Sequence, residues 1–352
     1  MTRSKIACRF ILCLMLLPSS VFAAVILQYH HIGDTTPYVT SIKTDQFIQH
    51  MTWLKRHHFE VISLPELIQR HKKQQLSDTD KVAVITFDDA GISVCRTAWP
   101  ILQEYAYPFT VFVSTELVEQ NAPNLCRWHH FQTMFKSGLL TVGNHGHQHL
   151  HMLDVNAYPD QKHWRKAVIQ EIRQAQTVID RAMGPQPRLF AYPYGEYNQS
   201  LKDIVAQLGY SALGQQSGAI GNGSDVTALP RFPLSGKYAD PNTLADKLNS
   251  LPFPIDLAKT SPHPLKIQSK HNPPELTLVL NKQLDSTVQC FLGNGEAIPT
   301  KQFNHKITVR YTKRLPTGRA RYNCTATSPY VGRFYWHSYQ WLVVEPTSLR
   351  ER

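Results

Sequence analysis

The sequence predicts an α/β protein, a distorted (β/α) barrel followed by a small β-sandwich. Three observations support this prediction. Short apolar runs alternate with helical patterns about six or seven times over roughly 230 residues, which is typical of parallel strands joined by helices. A Pro- and Lys-rich stretch without periodicity begins near residue 252. Beyond it, short β-rich segments are separated by turn residues, as in two packed antiparallel sheets.

The first part of the chain, residues 24–252, is predicted to form the barrel. Its strands are apolar runs that end at turn residues, and its helices have apolar residues three and four positions apart. The longest helix carries an apolar stripe from Trp164 to Ala182, and Gly184 follows as a stop signal. The predicted strands are 24–33, 59–64, 81–89, 109–114, 140–145, 188–195 and 211–214. The predicted helices are 44–57, 64–73, 98–106, 128–138, 164–182 and 200–210.

The second part follows a predicted linker, residues 253–270. Residues 271–347 contain short segments rich in β-branched and aromatic residues, so we predict a β-sandwich of about 80 residues. Its basic stretch, residues 306–324, either binds an anionic polymer of the cell envelope or forms a solvated strand face. The predicted strands are 276–281, 287–293, 306–312, 318–326 and 333–344.

Residues 1–23 have the features of a secretory signal peptide. Three basic residues make its start positive, an apolar core follows over residues 10–17, and small residues lead to a cleavage position after Ala23. The apolar core is too short to span a bilayer, and no Cys follows the cleavage position to carry a lipid. We therefore expect export across the inner membrane into the periplasm, with no membrane span in the exported chain.

Charge and cysteine content fit an exported protein. The formal net charge is +11, and three of these positive charges lie in the signal peptide, which leaves +8. Such a charge favours anionic surroundings such as a cell envelope, and an exported protein is not expected to meet nucleic acid. Four cysteines outside the signal peptide predict disulfides in an oxidising compartment. The pairings considered are Cys290 with Cys324 and Cys95 with Cys126, and their spacing leaves them open.

Two stretches contain the residues that predict chemistry. The adjacent carboxylates Asp88 and Asp89 end the apolar run VITFDD, and GNHGHQH places His145 and His149 after a later predicted strand. In a parallel barrel both strand ends lie on the face where active sites form. One carboxylate and two imidazoles suit zinc with an open coordination position. We therefore expect Asp89, His145 and His149 to bind a cation while Asp88 stays free as a base.

Each of these motifs alone has a simpler interpretation. Paired Asp residues at a strand end are commonly solvated turn residues. A His-rich run also occurs in adventitious metal-binding loops. Because both motifs follow strands of one alternating pattern, their combination favours a metal site.

Three motifs resemble those of the polysaccharide deacetylases, the NodB-homology family or carbohydrate esterase family four. TFDDA resembles the family's TFDDG motif, HGHQH its H-[ST]-x-x-H motif, and AYPYG its R-x-P-[YF]-G motif. They occur in family order, with Asp89 and His145 separated by 56 positions. The resemblance covers about residues 25–250 and leaves the sandwich unexplained.

The resemblance implies a fold, a reaction and residue roles. The fold is the distorted (β/α) barrel of the NodB type. Asp88 would act as general base, and the backbone N–H of Tyr194 would help hold the oxyanion. Zn²⁺ or another divalent ion would bind to Asp89, His145 and His149. The substrate would be an N-acetylated polysaccharide, either an exopolysaccharide or peptidoglycan, and the products acetate and a free amine.

The sequence departs from the family motifs around these residues. Ala90 replaces the usual Gly after the acid pair, Gly146 the Ser or Thr between the His ligands, and Ala191 the Arg that braces the base. No L-x-x-x-H pattern follows residue 200 to supply the usual acid. The departures therefore concern the bracing of the base and the proton donor more than metal binding.

Two further residues are candidates for the absent groups. His30 follows the first strand in LQYHHIG, where poly-N-acetylglucosamine deacetylases of biofilm systems are similar, so we predict it as general acid. Its alternative is a structural role at the strand end or beside a site residue. Arg231, in ALPRFPLSG, is a candidate brace for Asp88 or a substrate contact, and its alternative is a structural ion pair.

The predicted function is that of an exported, metal-dependent polysaccharide N-deacetylase. Two alternatives stay open: a glycan O-acetyl esterase on the same scaffold, and a glycan-binding protein without turnover. The absent Arg, Ser or Thr, and late His favour the binding protein. Asp88 beside three ligand residues favours an enzyme, because a binding module has no need of a free base.

Overall fold

A computed structural model describes residues 23–75, 81–260, 265–268 and 272–344. Apart from Ala23, the predicted signal peptide lies outside these residues. Among the residues described, no helix combines the length and the apolar content that crossing a bilayer requires. The predicted linker is described only in part, because residues 261–264 and 269–271 fall outside these ranges.

Ten short strands precede residue 234. Eight of them form one parallel sheet in the order β10-β1-β5-β6-β7-β8-β9, with β4 beside β5, and β2 pairs with β3 separately. The strands are β1 Ala24–Tyr29, β2 His31–Ile32, β3 Ser41–Ile42, β4 Glu60–Val61, β5 Val82–Phe87, β6 Phe109–Val113, β7 Leu140–Asn144, β8 Leu189–Ala191, β9 Ser211–Leu213 and β10 Phe232–Pro233.

Helices connect the strands, as the alternating pattern predicts. The six predicted helices are confirmed, and two five-residue helices, α4 and α8, were not predicted because they are too short to show a period. The helices are α1 Thr44–Arg56, α2 Leu64–Lys72, α3 Trp99–Tyr105, α4 Thr115–Glu119, α5 Trp128–Phe135, α6 Gln161–Met183, α7 Gln199–Gln207 and α8 Leu244–Leu248. A π-helical turn, Val94–Ala98, precedes α3, and short 3₁₀ turns lie at Tyr38–Thr40, Val155–Ala157, Pro193–Gly195, Gly236–Ala239 and Pro241–Thr243.

The parallel sheet is buried on both faces. Every residue of β1 and β5 is buried. Alternate residues such as Val25 and Leu27 pack with α1 and α3, whereas Ala24 and Ile26 belong to a second cluster that includes Leu213. This two-sided burial explains why these strands are continuous apolar runs. The distorted (β/α) barrel predicted from the sequence is confirmed.

The C-terminal strands form two further sheets, which we call the sandwich. The six-stranded sheet has the order β11-β19-β18-β14-β15 with β12 beside β19, and the three-stranded sheet has the order β13-β17-β16. Leu278 and Ile307 of the smaller sheet and Trp341 of the larger one share a single core. The strands are β11 Ser250–Pro252, β12 Leu265–Gln268, β13 Glu275–Val279, β14 Gln289–Leu292, β15 Ala297–Ile298, β16 Thr300–Phe303, β17 Lys306–Arg310, β18 Gly318–Thr327 and β19 Phe334–Val344.

Both disulfide pairings considered from the sequence are present. Cys290 and Cys324 are register partners on β14 and β18, so their bond ties two neighbouring strands of the sandwich. Cys95 and Cys126 join the turn before α3 to the segment before α5. The two bonds therefore tie segments of the sandwich and of the barrel separately.

The edge strands of the parallel sheet, β9 and β10, do not pair with each other. The sandwich packs against this open side of the barrel. Residues 214–231 cross this side, and Leu213 forms a bridge with Leu229 that partly closes it. Strand β19 lies alongside: Gly218 bridges to His337, and the Ser338 N–H donates to the Ser217 carbonyl at 3.0 Å. The sandwich thus contacts a segment that begins at the carboxyl end of β9.

Candidate active site

The parallel topology gathers the predicted site residues at one edge of the sheet. His30 follows β1, the Asp88–Asp89 pair follows β5, His145 follows β7, and Tyr194 follows β8. All four strands run in the same direction, so their carboxyl ends lie together. The expectation that these residues share one face is confirmed by their contacts.

Asp89, His145 and His149 form a compact cluster of metal-ligand side chains. Asp89 Oδ1 lies 3.4 Å from the Nε2 atoms of both His145 and His149, and these two nitrogens are 3.2 Å apart. Tetrahedral ligands about 2.1 Å from zinc are separated by roughly 3.4 Å. The three donors therefore have the spacing of a tetrahedral metal site.

Backbone conformation and a hydrogen bond orient these ligands. Asp89 and His149 have left-handed φ angles of 66° and 56°, a conformation that is uncommon for non-glycine residues. His145 Nδ1 lies 2.8 Å from the carbonyl oxygen of Ala191. This contact places the proton on Nδ1 and leaves Nε2 with a lone pair for a metal ion.

Electrostatics also favour the ligand forms of two of these side chains. Burial acts to raise the pKa of Asp89, but the interactions with His145, His30 and His149 together outweigh burial and hold the pKa well below its ordinary value. Burial, followed by the charge of His145, lowers the pKa of His149 to about 4. At neutral pH Asp89 is therefore ionised and His149 neutral, as metal ligation requires.

Asp88 is fully buried and is held by one side chain from strand β1 and one from the loop before β10. Arg231 donates from Nη1 to Oδ1 at 2.7 Å and from Nη2 to Oδ2 at 2.8 Å, and Gln28 donates from Nε2 to Oδ2 at 2.7 Å. Burial acts to raise the pKa of Asp88, but the charges of Arg231 and His145 lower it to about 2. The carboxylate is thus ionised at neutral pH and fixed in orientation.

Arg231 lies beside Asp88 and supplies the arginine contact that Ala191 cannot make. Its side chain is completely buried, its Nε donates to the Gly214 carbonyl at 2.9 Å, and its guanidinium lies over the Phe112 ring. The predicted contact with Asp88 is therefore present, although Arg231 lies 143 positions away in the chain. Gln28 was missed, and its only signal was a polar residue inside the apolar run AVILQY.

Glu171 supports the His-rich loop and was also missed. Its Oε1 accepts the backbone N–H groups of His147 at 2.7 Å and Gln148 at 2.6 Å. Gly146, with φ 82°, lies so close that an added Cβ would be 3.0 Å from this oxygen. The loop is thus held by a buried carboxylate from α6 where the family motif has a hydroxyl. The sequence signal for Glu171 was a charged residue on the apolar stripe of the predicted helix.

His30 and Tyr194 lie at opposite sides of the cluster. His30 Nε2 is 4.0 Å from Asp88 Oδ2, and its side chain keeps 15% exposure. The Tyr194 ring stacks on His151 at 3.7 Å and meets the His149 ring edge-on at 4.5 Å. The backbone N–H of Tyr194 lies in the first turn of the short helix Pro193–Gly195, where N–H groups have no partner within the turn.

The other two histidines of the run do not join the ligand cluster. His147 is buried and lies 2.8 Å from both Thr115 Oγ1 and Gln174 Nε2. His151 pairs with Glu196 at 2.9 Å, and its side chain is largely exposed. Both residues therefore lie outside the set of candidate ligands.

Comparison with known proteins identifies the domain. Residues 75–213 match the family model of the polysaccharide deacetylases. A poly-β-1,6-N-acetyl-D-glucosamine N-deacetylase of Staphylococcus aureus is 25% identical over 199 residues, 55% of this chain and 68% of the relative. The enzyme of the same name from Staphylococcus epidermidis is 24% identical over 237 residues, 60% of this chain and 79% of the relative.

Solved structures agree on the fold. The Streptococcus pyogenes deacetylase PplD superposes with a TM-score of 0.58 at 22% identity, covering 65% of this chain and 99% of that protein. IcaB from Ammonifex degensii superposes with a TM-score of 0.56 at 23% identity, covering 64% of this chain and 96% of that protein. The chain is therefore similar to the polysaccharide deacetylases through the domain that contains residues 75–213.

Proposed function

We propose that this protein removes N-acetyl groups from a polysaccharide containing N-acetylglucosamine, which yields acetate and a free amine. The observation that supports the proposal most is the buried Asp88 carboxylate, held by Arg231 beside three clustered ligand residues. The staphylococcal relatives are named as deacetylases of poly-β-1,6-N-acetyl-D-glucosamine. We therefore assign the N-acetyl amide as the bond cleaved, with an exopolysaccharide as first candidate substrate and peptidoglycan as second.

Asp89, His145 and His149 would hold the metal ion, which we assign as Zn²⁺. Their donor atoms have the chemistry and spacing of a tetrahedral site with one free position. When bound there, the cation would polarise the acetyl carbonyl and lower the pKa of a water molecule. The carbonyl of Ala191 would keep His145 in the ligating tautomer.

Asp88 would act as the general base. It precedes Asp89 in the chain, but Arg231 and Gln28 hold its carboxylate, so it does not join the ligand cluster. Oδ1 accepts from Arg231 and keeps one lone pair, whereas Arg231 and Gln28 use both lone pairs of Oδ2. Asp88 would therefore accept the proton from the water that attacks the acetyl carbon, and Arg231 would fix the direction of that transfer.

Tyr194 and His30 would serve the later stages of the reaction. The backbone N–H of Tyr194 would donate a hydrogen bond to the oxygen that becomes negative as water adds to the carbonyl. His30 would donate a proton to the amide nitrogen as the carbon–nitrogen bond breaks, because its Nε2 lies at the site and an imidazole can carry a proton near neutral pH. The balance is one water consumed, one acetate and one amine formed.

Export to the periplasm belongs to the same proposal. The N-terminal 23 residues have a basic start and an apolar core, and two disulfides are formed, which suits an oxidising compartment. A polysaccharide substrate of the cell envelope or the biofilm would be met there.

The experiment that tests the proposal is acetate release by the mature protein from N-acetylglucosamine oligomers and from peptidoglycan, with added Zn²⁺. We expect Asp88→Asn to lose activity, because the amide cannot accept a proton. Asp154→Asn, a change of the same chemistry at an exposed position, is the matched control and should retain activity. Circular dichroism of each protein establishes that the fold is kept.

Three results would redirect the assignment. Acetate release from O-acetylated glycans but not from N-acetylated ones would identify an esterase. Zinc binding without any release would favour the glycan-binding alternative. Full activity of Asp88→Asn would remove Asp88 as the base while leaving the deacetylase activity in place.

A further inference from the structure

Two side chains of the sandwich reach the turn that contains Tyr194. Arg319 on β18 donates from Nη1 to the carbonyl oxygen of Tyr194 and, at 3.3 Å, to Gln215 Oε1. Gln340 on β19 donates from Nε2 to the carbonyl oxygen of Gly195 at 2.9 Å, and this contact is buried. Two consecutive carbonyl groups of the barrel turn are thus held by neighbouring strands of the sandwich.

The turn adopts a backbone conformation that needs support. Tyr194 has φ 58° and Gly195 has φ 68°, and for a residue with a side chain the left-handed region costs about 1–2 kcal/mol. A Cβ added at Gly195 would lie 2.6 Å from the Cβ of Gln215. Strained conformations of this kind persist only where the surrounding contacts determine them. The contacts on the two carbonyl groups come from Arg319 and Gln340.

The same strands are connected to the base. Strand β19 contacts residues 217–218 through backbone hydrogen bonding. The adjoining residues hold Arg231: the Gly214 carbonyl accepts from its Nε at 2.9 Å, and the Gln216 carbonyl accepts from its backbone N–H at 2.9 Å. Arg231 in turn binds Asp88. The segment after β9 therefore lies between the sandwich and the brace of the base.

We infer that the sandwich is part of the catalytic unit: Arg319 and Gln340 position the Tyr194–Gly195 turn so that the Tyr194 N–H points at the developing oxyanion. This inference rests on the proposed function. The Tyr194 N–H and the Tyr194 carbonyl flank the same Cα, and the Gly195 carbonyl belongs to the next residue. Holding both carbonyl groups therefore restricts the direction in which the N–H points. It also gives part of the basic stretch 306–324 a role other than polymer binding or solvation.

The test compares Gln340→Leu with Gln302→Leu. Leucine has nearly the volume of glutamine but no donor, so Gln340→Leu leaves the Gly195 carbonyl without its partner. Gln302 lies half-buried on β16, and among the described residues its amide bonds to Ser286 and Val288 of the sandwich, which makes it a control for the loss of a sandwich amide. Arg319→Ala is a second variant at an exposed position, and Arg319→Lys retains one donor for the Tyr194 carbonyl.

Two readouts are needed: steady-state kinetics of acetate release, and hydrogen–deuterium exchange of the peptide that contains the turn. For Gln340→Leu we expect kcat to fall about 10-fold to 100-fold with KM nearly unchanged, because misplacing one catalytic group by about 1 Å costs up to 100-fold. Exchange of the turn should become faster. Arg319→Ala should show a smaller fall, Arg319→Lys should recover part of it, and Gln302→Leu should match the wild type.

The outcomes separate this inference from the proposed function. Unchanged exchange of the turn in both Gln340→Leu and Arg319→Ala would overturn the inference, and so would faster exchange with unchanged kcat. An equal loss of kcat in Gln302→Leu would also overturn it, because that loss would reflect general weakening of the sandwich. A wild-type protein without turnover would refute the proposed function, while faster exchange in the variants would still support control of the turn by the sandwich.

Discussion

The guanidinium of Arg231 and the carboxylate of Asp88 form a two-point ion pair, and both side chains are completely buried. A buried carboxylate of this kind is stable only with a partner, because removing a charge from water costs several kcal/mol. Two parallel contacts, at 2.7 Å and 2.8 Å, fix the orientation of the carboxylate. It provides from a distant loop the support that the family motif provides from the position of Ala191.

Arg231→Ala is expected to abolish detectable acetate release and to lower the free energy of unfolding by about 3–5 kcal/mol, because Asp88 would stay buried without its main partner. The activity and the stability of Arg231→Lys should lie between those of the wild type and of Arg231→Ala. A lysine supplies the positive charge but not the two parallel hydrogen bonds of the guanidinium. Chemical denaturation and the acetate assay measure both effects. Arg188→Ala, which removes an arginine paired at the surface with Asp180, should cost less than about 1 kcal/mol. An active Arg231→Ala enzyme would contradict this role.

Glu171→Leu is expected to weaken zinc binding about 10-fold to 100-fold without touching a ligand, because the backbone of the His-rich loop loses its acceptor. Glu171→Gln keeps an acceptor oxygen and should retain most of the affinity. Isothermal titration calorimetry with Zn²⁺ gives the dissociation constants. Glu119→Leu, which removes a surface partner of Arg181, serves as the control. Equal zinc affinity in Glu171→Leu and the wild type would show that the loop needs no such support.

Gly146→Ser restores the residue type of the family motif, yet we expect it to reduce both stability and zinc affinity. Gly146 has φ 82°, and the new Cβ would lie 3.0 Å from Glu171 Oε1. Gly184→Ser is a matched control, because Gly184 has φ 76° with no atom within 4 Å of an added Cβ. Both variants carry the backbone cost of about 1 kcal/mol. Any larger loss at Gly146, measured by denaturation, therefore reports the crowding against Glu171.

His50 is expected to make the fold less stable in acid. Burial lowers its pKa from 6.5 to about 4, with Lys247 acting in the same direction and the Ala239 carbonyl and Asp240 opposing it. The unfolded chain then binds the proton more tightly than the folded chain, so stability is complete above pH 6.5 and is lost as the pH falls toward 4. Between pH 6.5 and 4, protonation of His50 should lower the free energy of unfolding by on the order of 3 kcal/mol.

Denaturation curves at several pH values test this prediction. His50→Gln should reduce the loss of stability between pH 6.5 and 4, whereas His163→Gln should not, because His163 is largely exposed and pairs only with Asp160. An identical pH dependence in His50→Gln and the wild type would show that His50 does not control it.

The alternating pattern was sufficient to predict the barrel because each strand between α1 and α7 is a short apolar run next to a helix with a regular stripe. Strand β10 was not predicted, since its two residues, Phe232–Pro233, are too few to show a pattern. Strand β4 is shorter than the predicted run because it pairs only with the first two residues of β5. Local periodicity therefore predicts long elements, but it does not predict two-residue strands that form only through tertiary pairing.

The ligand cluster could be predicted because its members end strands of one parallel sheet. Because β5 and β7 run in the same direction in one sheet, with β6 between them, Asp89 and His145 lie at one edge. The four-residue step then brings His149 to the same place. Strand direction and spacing along the chain are both readable from the sequence.

By itself, the sequence determined the barrel, the position of the candidate ligand residues at one edge and the resemblance of the domain to the polysaccharide deacetylases. Only the tertiary structure decided the partners of these residues: Gln28 and Arg231 for Asp88, Glu171 for the His-rich loop, and Arg319 for the Tyr194 turn. The Asp88–Arg231 contact spans 143 positions and the Tyr194–Arg319 contact 125. Contacts at such separations depend on how the whole chain packs, and no local pattern of residues records them.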